Sequence, residues 1–152
     1  MAHSLDAAVQ EVAATIEELR EIAHGIRPGV LDDGLASALR DLVQRTRLPA
    51  TVRVPDRRFS RDVETAAYFI ACEGVTNATK HADATCLDLE VREMGTRLVL
   101  RVTDDGVGGA ELRDGGGLVG VSDRVAAYGG RLSIESSPGT GTTLVAELSC
   151  AS

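Results

Sequence analysis

The chain has 152 residues, 43% of them hydrophobic and 26% charged, with aromatics at only 3% and no Trp. That length fits a single domain with a core of Leu, Val, Ile and Ala. A net charge of −7 excludes nucleic acid or an anionic membrane surface as a general partner, although a local basic site for a phosphate remains allowed.

The sequence carries no apolar run long enough to span a bilayer and no signal-peptide pattern. Cys72, Cys86 and Cys150 are scattered and lack metal-ligand spacing, so neither a disulfide framework nor a zinc site is expected, and a reducing compartment is the default.

In chain order, Leu5, Val9, Val12, Ile16, Leu19, Ile22 and Ala23 recur at helical steps over residues 5 to 26, and Pro28 stops the pattern. A second helix follows, with Asp32 or Asp33 as N-cap and Leu35, Leu39, Leu42 and Val43 on its apolar side. Thr51 to Pro55 reads as a short strand, placed at an edge by the proline. Ser60 caps a third helix that runs to about His81, with Asp62 and Glu64 in its first turn.

The second half is mainly β. Leu87, Leu89 and Val91 alternate with Asp88, Glu90 and Arg92, a half-buried strand. Met94-Gly95-Thr96 turns into a further strand that ends at Asp104-Asp105. A short helix with Val121, Val125 and Ala126 inward is closed by Gly129-Gly130. Leu132 and Ile134 mark one more strand, and Leu144, Ala146 and Leu148 the last. The sum is a two-layer α/β sandwich (α+β), with a mixed, mostly antiparallel sheet, helices on one face and a helix in front.

Four segments carry chemistry. Glu73, Asn77, Lys80 and His81 fall along one stripe of the third helix, beside an apolar stripe of Ala66, Ala67, Ile70, Gly74 and Ala78. An acid, an amide, a cation and an imidazole in that order could hold a hydrated divalent ion and a triphosphate, because Mg²⁺ takes hard oxygen ligands and keeps several waters. A solvated helix face is the plainer alternative, against which Gly74 points to close packing.

Val102 to Gly109, VTDDGVGG, presents a fixed acceptor beside bare backbone; taken alone it reads most simply as a turn. Gly115 to Gly120 matches G-x-G-x-x-G, but the segment before it is polar loop rather than buried strand, so a dinucleotide fold is excluded. Glycines that open a helix still aim backbone N–H groups at an anion. The turn Ser137-Pro138-Gly139-Thr140-Gly141 precedes Thr142 in the last strand.

In combination and in this order, these four segments resemble the N, G1, G2 and G-x-G-T boxes of the GHKL (Bergerat-fold) ATPase superfamily. The stretch Glu18 to Leu31, with Gly34-Leu35 and Ala38-Leu39 after it, is similar to the end of the dimerisation domain in NarL/DesK-type sensor histidine kinases. The resemblance implies a two-component kinase domain that binds ATP and Mg²⁺ and transfers the γ-phosphate to a histidine. Residues 1–28 would belong to the dimerisation region and residues 29–152 to the catalytic domain.

By the same resemblance, Asp104 accepts from the adenine amino group, Gly106 and Gly108 admit backbone to the purine, and Thr142 supports that side. Asn77 ligates Mg²⁺ with Glu73, a catalytic residue that holds a metal-bound or attacking-group-facing water, while Lys80 and His81 meet the phosphates. Gly115, Gly117, Leu118 and Gly120 form the lid hinge and the helix N-terminus under the triphosphate. The lid between Gly109 and Gly115 is short, as in this subfamily.

One motif is missing: a phosphoacceptor histidine followed by an acidic residue. His24 lies where the family places no phosphoacceptor, and His81 belongs to the N box. The expectation is therefore a C-terminal piece of a cytoplasmic, membrane-anchored or soluble sensor. It would work with its own dimerisation domain in a homodimer and with a response regulator, without direct membrane contact. Two other readings share some features: a GHKL serine kinase of the anti-sigma-factor type, and a non-catalytic nucleotide-sensing module. The helix tail from Leu5 to Pro28 argues against the first, and the intact boxes against the second.

Overall fold

A computed structural model describes residues 7–9, 12, 29–80, 83–108 and 117–150. Of the first apolar stripe, Val9 and Val12 fall among these, helical and exposed at 61% and 59%. Ile16 and Leu19, like His24, lie outside the described residues.

A 3₁₀ turn over Gly29–Asp33 leads into helix α1, Leu35–Gln44. The aspartates expected to cap α1 are absorbed in that turn, and the cap is Gly34 at φ +98°, with no side-chain cap bond. The reason lies in the backbone. The Gly34 N–H donates to the Leu31 carbonyl at 2.9 Å and closes the turn, and the residue leading into α1 sits at a positive φ with extended ψ that aspartate tolerates poorly. Strand β1, Ala50–Arg53, precedes helix α2, Arg61–Lys80; then come strands β2, Leu87–Met94, and β3, Arg97–Asp104. Helix α3, Gly117–Ala127, and strands β4, Arg131–Ser136, and β5, Thr142–Ser149, complete the fold.

The five strands form one sheet in the order β1-β2-β3-β5-β4. β1 pairs with β2 in parallel, and the other pairings are antiparallel. The sheet is thus mixed and mostly antiparallel, and β1 sits at an edge with Pro55 just beyond it, as the proline demands.

Leu87, Leu89 and Val91 of β2, Leu98, Leu100 and Val102 of β3, and Leu144, Ala146 and Leu148 of β5 are buried under the helices. Alternate residues turn outward and pair in ions, such as Arg53 with Asp88 at 2.9 Å and Arg97 with Glu147 at 2.8 Å. Exposed pairs of that kind add at most about 1 kcal/mol each. The burial of one strand face is what fixes register, because a slip by one residue would turn the whole apolar set outward.

Helix α2 is the central element of the covering layer. Five consecutive residues, Val63 to Ala67, are buried near its start. Glu64 among them is fully buried and folds back as a clasp. Its carboxylate accepts from the Phe59 N–H at 3.0 Å and from Arg58 at 3.0 and 3.2 Å. Arg58 also donates to the carbonyls of Asp32 and Leu31, tying the opening turn to α2.

Further along, a Cβ placed on Gly74 would stand 2.9 Å from Val102 Cγ1, so the helix packs closely on β3 there. The close packing inferred from Gly74 is present. In α3, Val121 and Val125 point inward but Ala126 is exposed. It lies about 100° round the helix from Val125, on the solvent side.

Candidate nucleotide-binding site

The apolar alternation of β3 delivers one polar residue to the buried face. Asp104 ends the strand only 6% exposed, with Leu87 opposite on one side and Thr142 on the other. Its Oδ1 accepts from the Gly106 N–H at 2.9 Å, which fixes the carboxylate and closes the chain into a tight turn. Thr142 is also 6% exposed, and its hydroxyl lies 2.9 Å from Ser136 Oγ. A buried carboxylate beside a buried hydroxyl, at the mouth of a two-layer sandwich, is a fixed acceptor for a ligand N–H.

Backbone alone holds the loop after Asp104. A Cβ on Gly108, at φ +72°, would lie 1.9 Å from the Ser137 carbonyl oxygen, and one on Gly141, at φ +78°, would lie 2.1 Å from the Asp104 carbonyl oxygen. The Gly139 N–H donates to the Val107 carbonyl at 2.7 Å. Two glycine turns from distant parts of the sequence therefore press together with nothing between them, and Gly106 is buried within.

The far side of the site is α2. Glu73 and Asn77 are half-buried, one turn apart, and border the buried Gly74 and Ala78; Lys80 is exposed at the helix end. The chain leaving Lys80 must reach Leu87, which stands beside Asp104 in the sheet. The open end of α2 and the acceptor end of β3 thus share one end of the molecule. Glu73 and Asn77 offer hard oxygens of the kind Mg²⁺ prefers, on one helix face and partly open to water. Among the described residues no group of three or more His, Cys, Asp or Glu is placed to hold a metal ion.

Helix α3 starts at Gly117 and includes Gly120, where an added Cβ would meet nothing within 4 Å. So Gly120 is not required by packing. His81, Gly115, the lid from Gly109 and the side chain of Leu118 lie outside the described residues.

Two features escape reading from the sequence. Arg124 of α3 stacks over the Phe69 ring of α2, 5.5 Å from its centroid, and so fastens the glycine-opened helix to the central one. Asp105 accepts from the N–H groups of Thr85 and Cys86 at 2.7 and 2.9 Å and from the Thr85 hydroxyl. These hydrogen bonds, the Thr85 hydroxyl first, hold its carboxyl well below the usual carboxylate range. The pairing of Thr85 with an acid twenty residues on has no local signature.

A hollow of about 480 Å³ lies at the same end of the sheet, lined by Thr51, Cys86, Asp88, Thr103 and Asp105 among others. Thr51, Asp88 and Thr103 face outward, so it opens on the side of the strands away from the helices. Leu87 and Asp104 line it as well, so the hollow reaches the end of β3 at which the buried acceptor sits.

The family described as histidine kinase-, DNA gyrase B- and HSP90-like ATPase matches residues 62–152, and the chain belongs to it. Among curated relatives, the sensor histidine kinase ComP of Bacillus subtilis is 36% identical over 87% of this chain and 19% of its own length. The sensor histidine kinase MctS of Rhizobium johnstonii is 33% identical over 94% of this chain and 34% of its own. UhpB of Salmonella typhimurium, a signal transduction histidine-protein kinase/phosphatase, is 31% identical over 82% of this chain and 27% of its own. The chain therefore spans between about a fifth and a third of the length of these relatives.

Solved structures agree on the fold. The Acinetobacter baumannii histidine kinase AdeS superposes with a TM-score of 0.64 at 17% identity, over 98% of this chain and 83% of that one. The blue-light activated histidine kinase EL346 of Erythrobacter litoralis gives 0.62 at 24% identity, over 76% and 39%.

Proposed function

We propose that residues 29–152 form the catalytic domain of a sensor histidine kinase. It would hold Mg-ATP between the β3–β5 end and α2 and pass the γ-phosphate to a histidine on a dimerisation domain, of which residues 1–28 are one end. The buried, Gly106-locked carboxylate of Asp104 carries this reading. A carboxylate can only accept, so it would pair with the adenine amino group and repel the carbonyl that guanine places there. Thr142 would support the base from β5, and the bare backbone at Gly106 and Gly108 would let the purine approach.

At the other end, Lys80 and His81 would meet the phosphates, and Gly115, Gly117, Leu118 and Gly120 would supply the lid hinge and helix N-terminus beneath them. Asn77 and Glu73 would hold Mg²⁺, whose role is to neutralise charge on the triphosphate. Glu73 would also orient a water toward the reacting groups. Phosphoryl transfer then depends mainly on position and charge, since the attacking imidazole comes from another domain. ATP supply places the domain on the cytoplasmic side. Its partners would be its own dimerisation domain, a second copy of the parent chain, and a response regulator.

Calorimetry with ATP and GTP in Mg²⁺ tests the reading. ATP should bind and GTP should not, and Asp104→Asn should weaken ATP about tenfold or more, the worth of a buried hydrogen bond to a charged group. Equal binding of ATP and GTP to the unaltered chain would sink the assignment of Asp104. Labelled phosphate from ATP should reach a separately supplied dimerisation domain and leave no stable label on this chain.

A further inference from the structure

Asp105 is exposed, yet its carboxylate gathers three donors from the connection between α2 and β2: the N–H and hydroxyl of Thr85 and the N–H of Cys86. Neither donor residue belongs to a helix or strand. The β2–β3 ladder ends with Leu87 opposite Asp104, so Cys86 and Asp105 are the next positions along, and a side chain takes over where backbone pairing stops. The connection starts at Lys80, the last residue of α2. The next residue back along the chain from Asp105 is Asp104, whose side chain points to the buried face. One carboxylate thus stands between the segment that leaves one half of the site and the residue that forms the other.

We propose that Asp105 is a positioning residue, which ties the exit of the phosphate-binding helix to the strand end that holds the base and so keeps the two halves of the nucleotide site at one spacing. The proposal rests on the ATP reading above. ATP contacts both halves and senses their spacing, whereas adenosine reaches the base half alone. A residue that only shaped Asp104, or only held the fold, would affect both ligands alike.

The test is the affinity of the whole chain for ATP and for adenosine, in Mg²⁺, before and after substitution. Asp105→Ala should weaken ATP about tenfold, as expected for lost hydrogen bonds to a charged acceptor, and leave adenosine within about twofold. Asp105→Asn keeps an acceptor oxygen for both N–H groups and should restore most of the ATP affinity. Thr85→Val, which removes only the hydroxyl donor, should show the same selective loss at smaller size, and it decides the matter if Asp105→Ala fails to fold. Parallel losses of ATP and adenosine, or no loss of ATP in either variant, would overturn the proposal. An unaltered chain that binds neither ligand would overturn the ATP reading first, and this assignment with it.

Discussion

At the proposed base end of the site the polar groups are buried and held: Asp104 and Thr142 are each 6% exposed, and the loops around them touch backbone to backbone at Gly108 and Gly141. At the proposed phosphate end Glu73 and Asn77 are half-buried and Lys80 is exposed. On the proposed reading, the difference follows from what each end would recognise. A base is told from another base by one hydrogen bond, which discriminates only if the acceptor is fixed and dry. A triphosphate with its ion would be recognised by charge, which suits groups partly open to water. Helix α2 itself is packed into the core near its start and exposed at Thr79 and Lys80.

The largest way to break this contrast is to put a side chain into the base end. Gly108→Ala would force a Cβ against the Ser137 carbonyl at a positive φ. We expect about 3 kcal/mol or more of destabilisation, a drop in Tm of roughly 6–12 °C, and loss of ATP and adenosine binding together. A variant with unchanged Tm would show that the glycine contact is not built as described.

The phosphate end should respond differently. Asn77→Ala should lower ATP affinity about tenfold when Mg²⁺ is present, with little change in its absence and little change in Tm. Equal loss with and without the ion would remove Asn77 from the metal.

A smaller effect sharpens the boundary between the two ends. Asp105 is held well below the ordinary value of 3.8 by its donors, so between those two values the unfolded chain binds the extra proton. Its contribution to stability is complete above about pH 4 and is lost as pH falls toward the folded value. Denaturant titrations of Asp105→Ala should therefore lose less stability on acidification below about pH 4 than the unaltered chain does. Identical acid limbs would contradict the hydrogen bonds to Thr85 and Cys86.

Much of this was legible in the residue order because it is written at short range. Alternation in 87–91 and 97–102 gave the strands and their buried face, Ser60 stands where α2 begins, and the spacing of Glu73, Asn77 and Lys80 placed them on one helix stripe. What could not be read depends on contacts between distant segments. The Asp105–Thr85 bridge, the Gly108–Ser137 approach and the Arg124–Phe69 stack each join residues with no common periodicity. The cap of α1 differs from the expectation for a related reason. Asp32 and Asp33 are good capping residues, but the fold spends them in a 3₁₀ turn whose last carbonyls are held by Arg58, far along the chain. The inward placing of Ala126 failed on geometry alone, because a short helix with two buried valines leaves no room on that face for a third residue 100° away.

The backbone contact between the two glycine turns has a consequence for how the gene can vary. Every single-nucleotide missense change at a glycine codon installs a side chain, and at Gly108 and Gly141 there is a carbonyl oxygen where its first atom must go. Neither position performs chemistry, yet neither has a neighbouring sequence through which drift could pass. In a saturation mutagenesis screen these two sites should be as intolerant as Asp104, whereas Gly120, with open space around it, should accept small residues as far as packing is concerned.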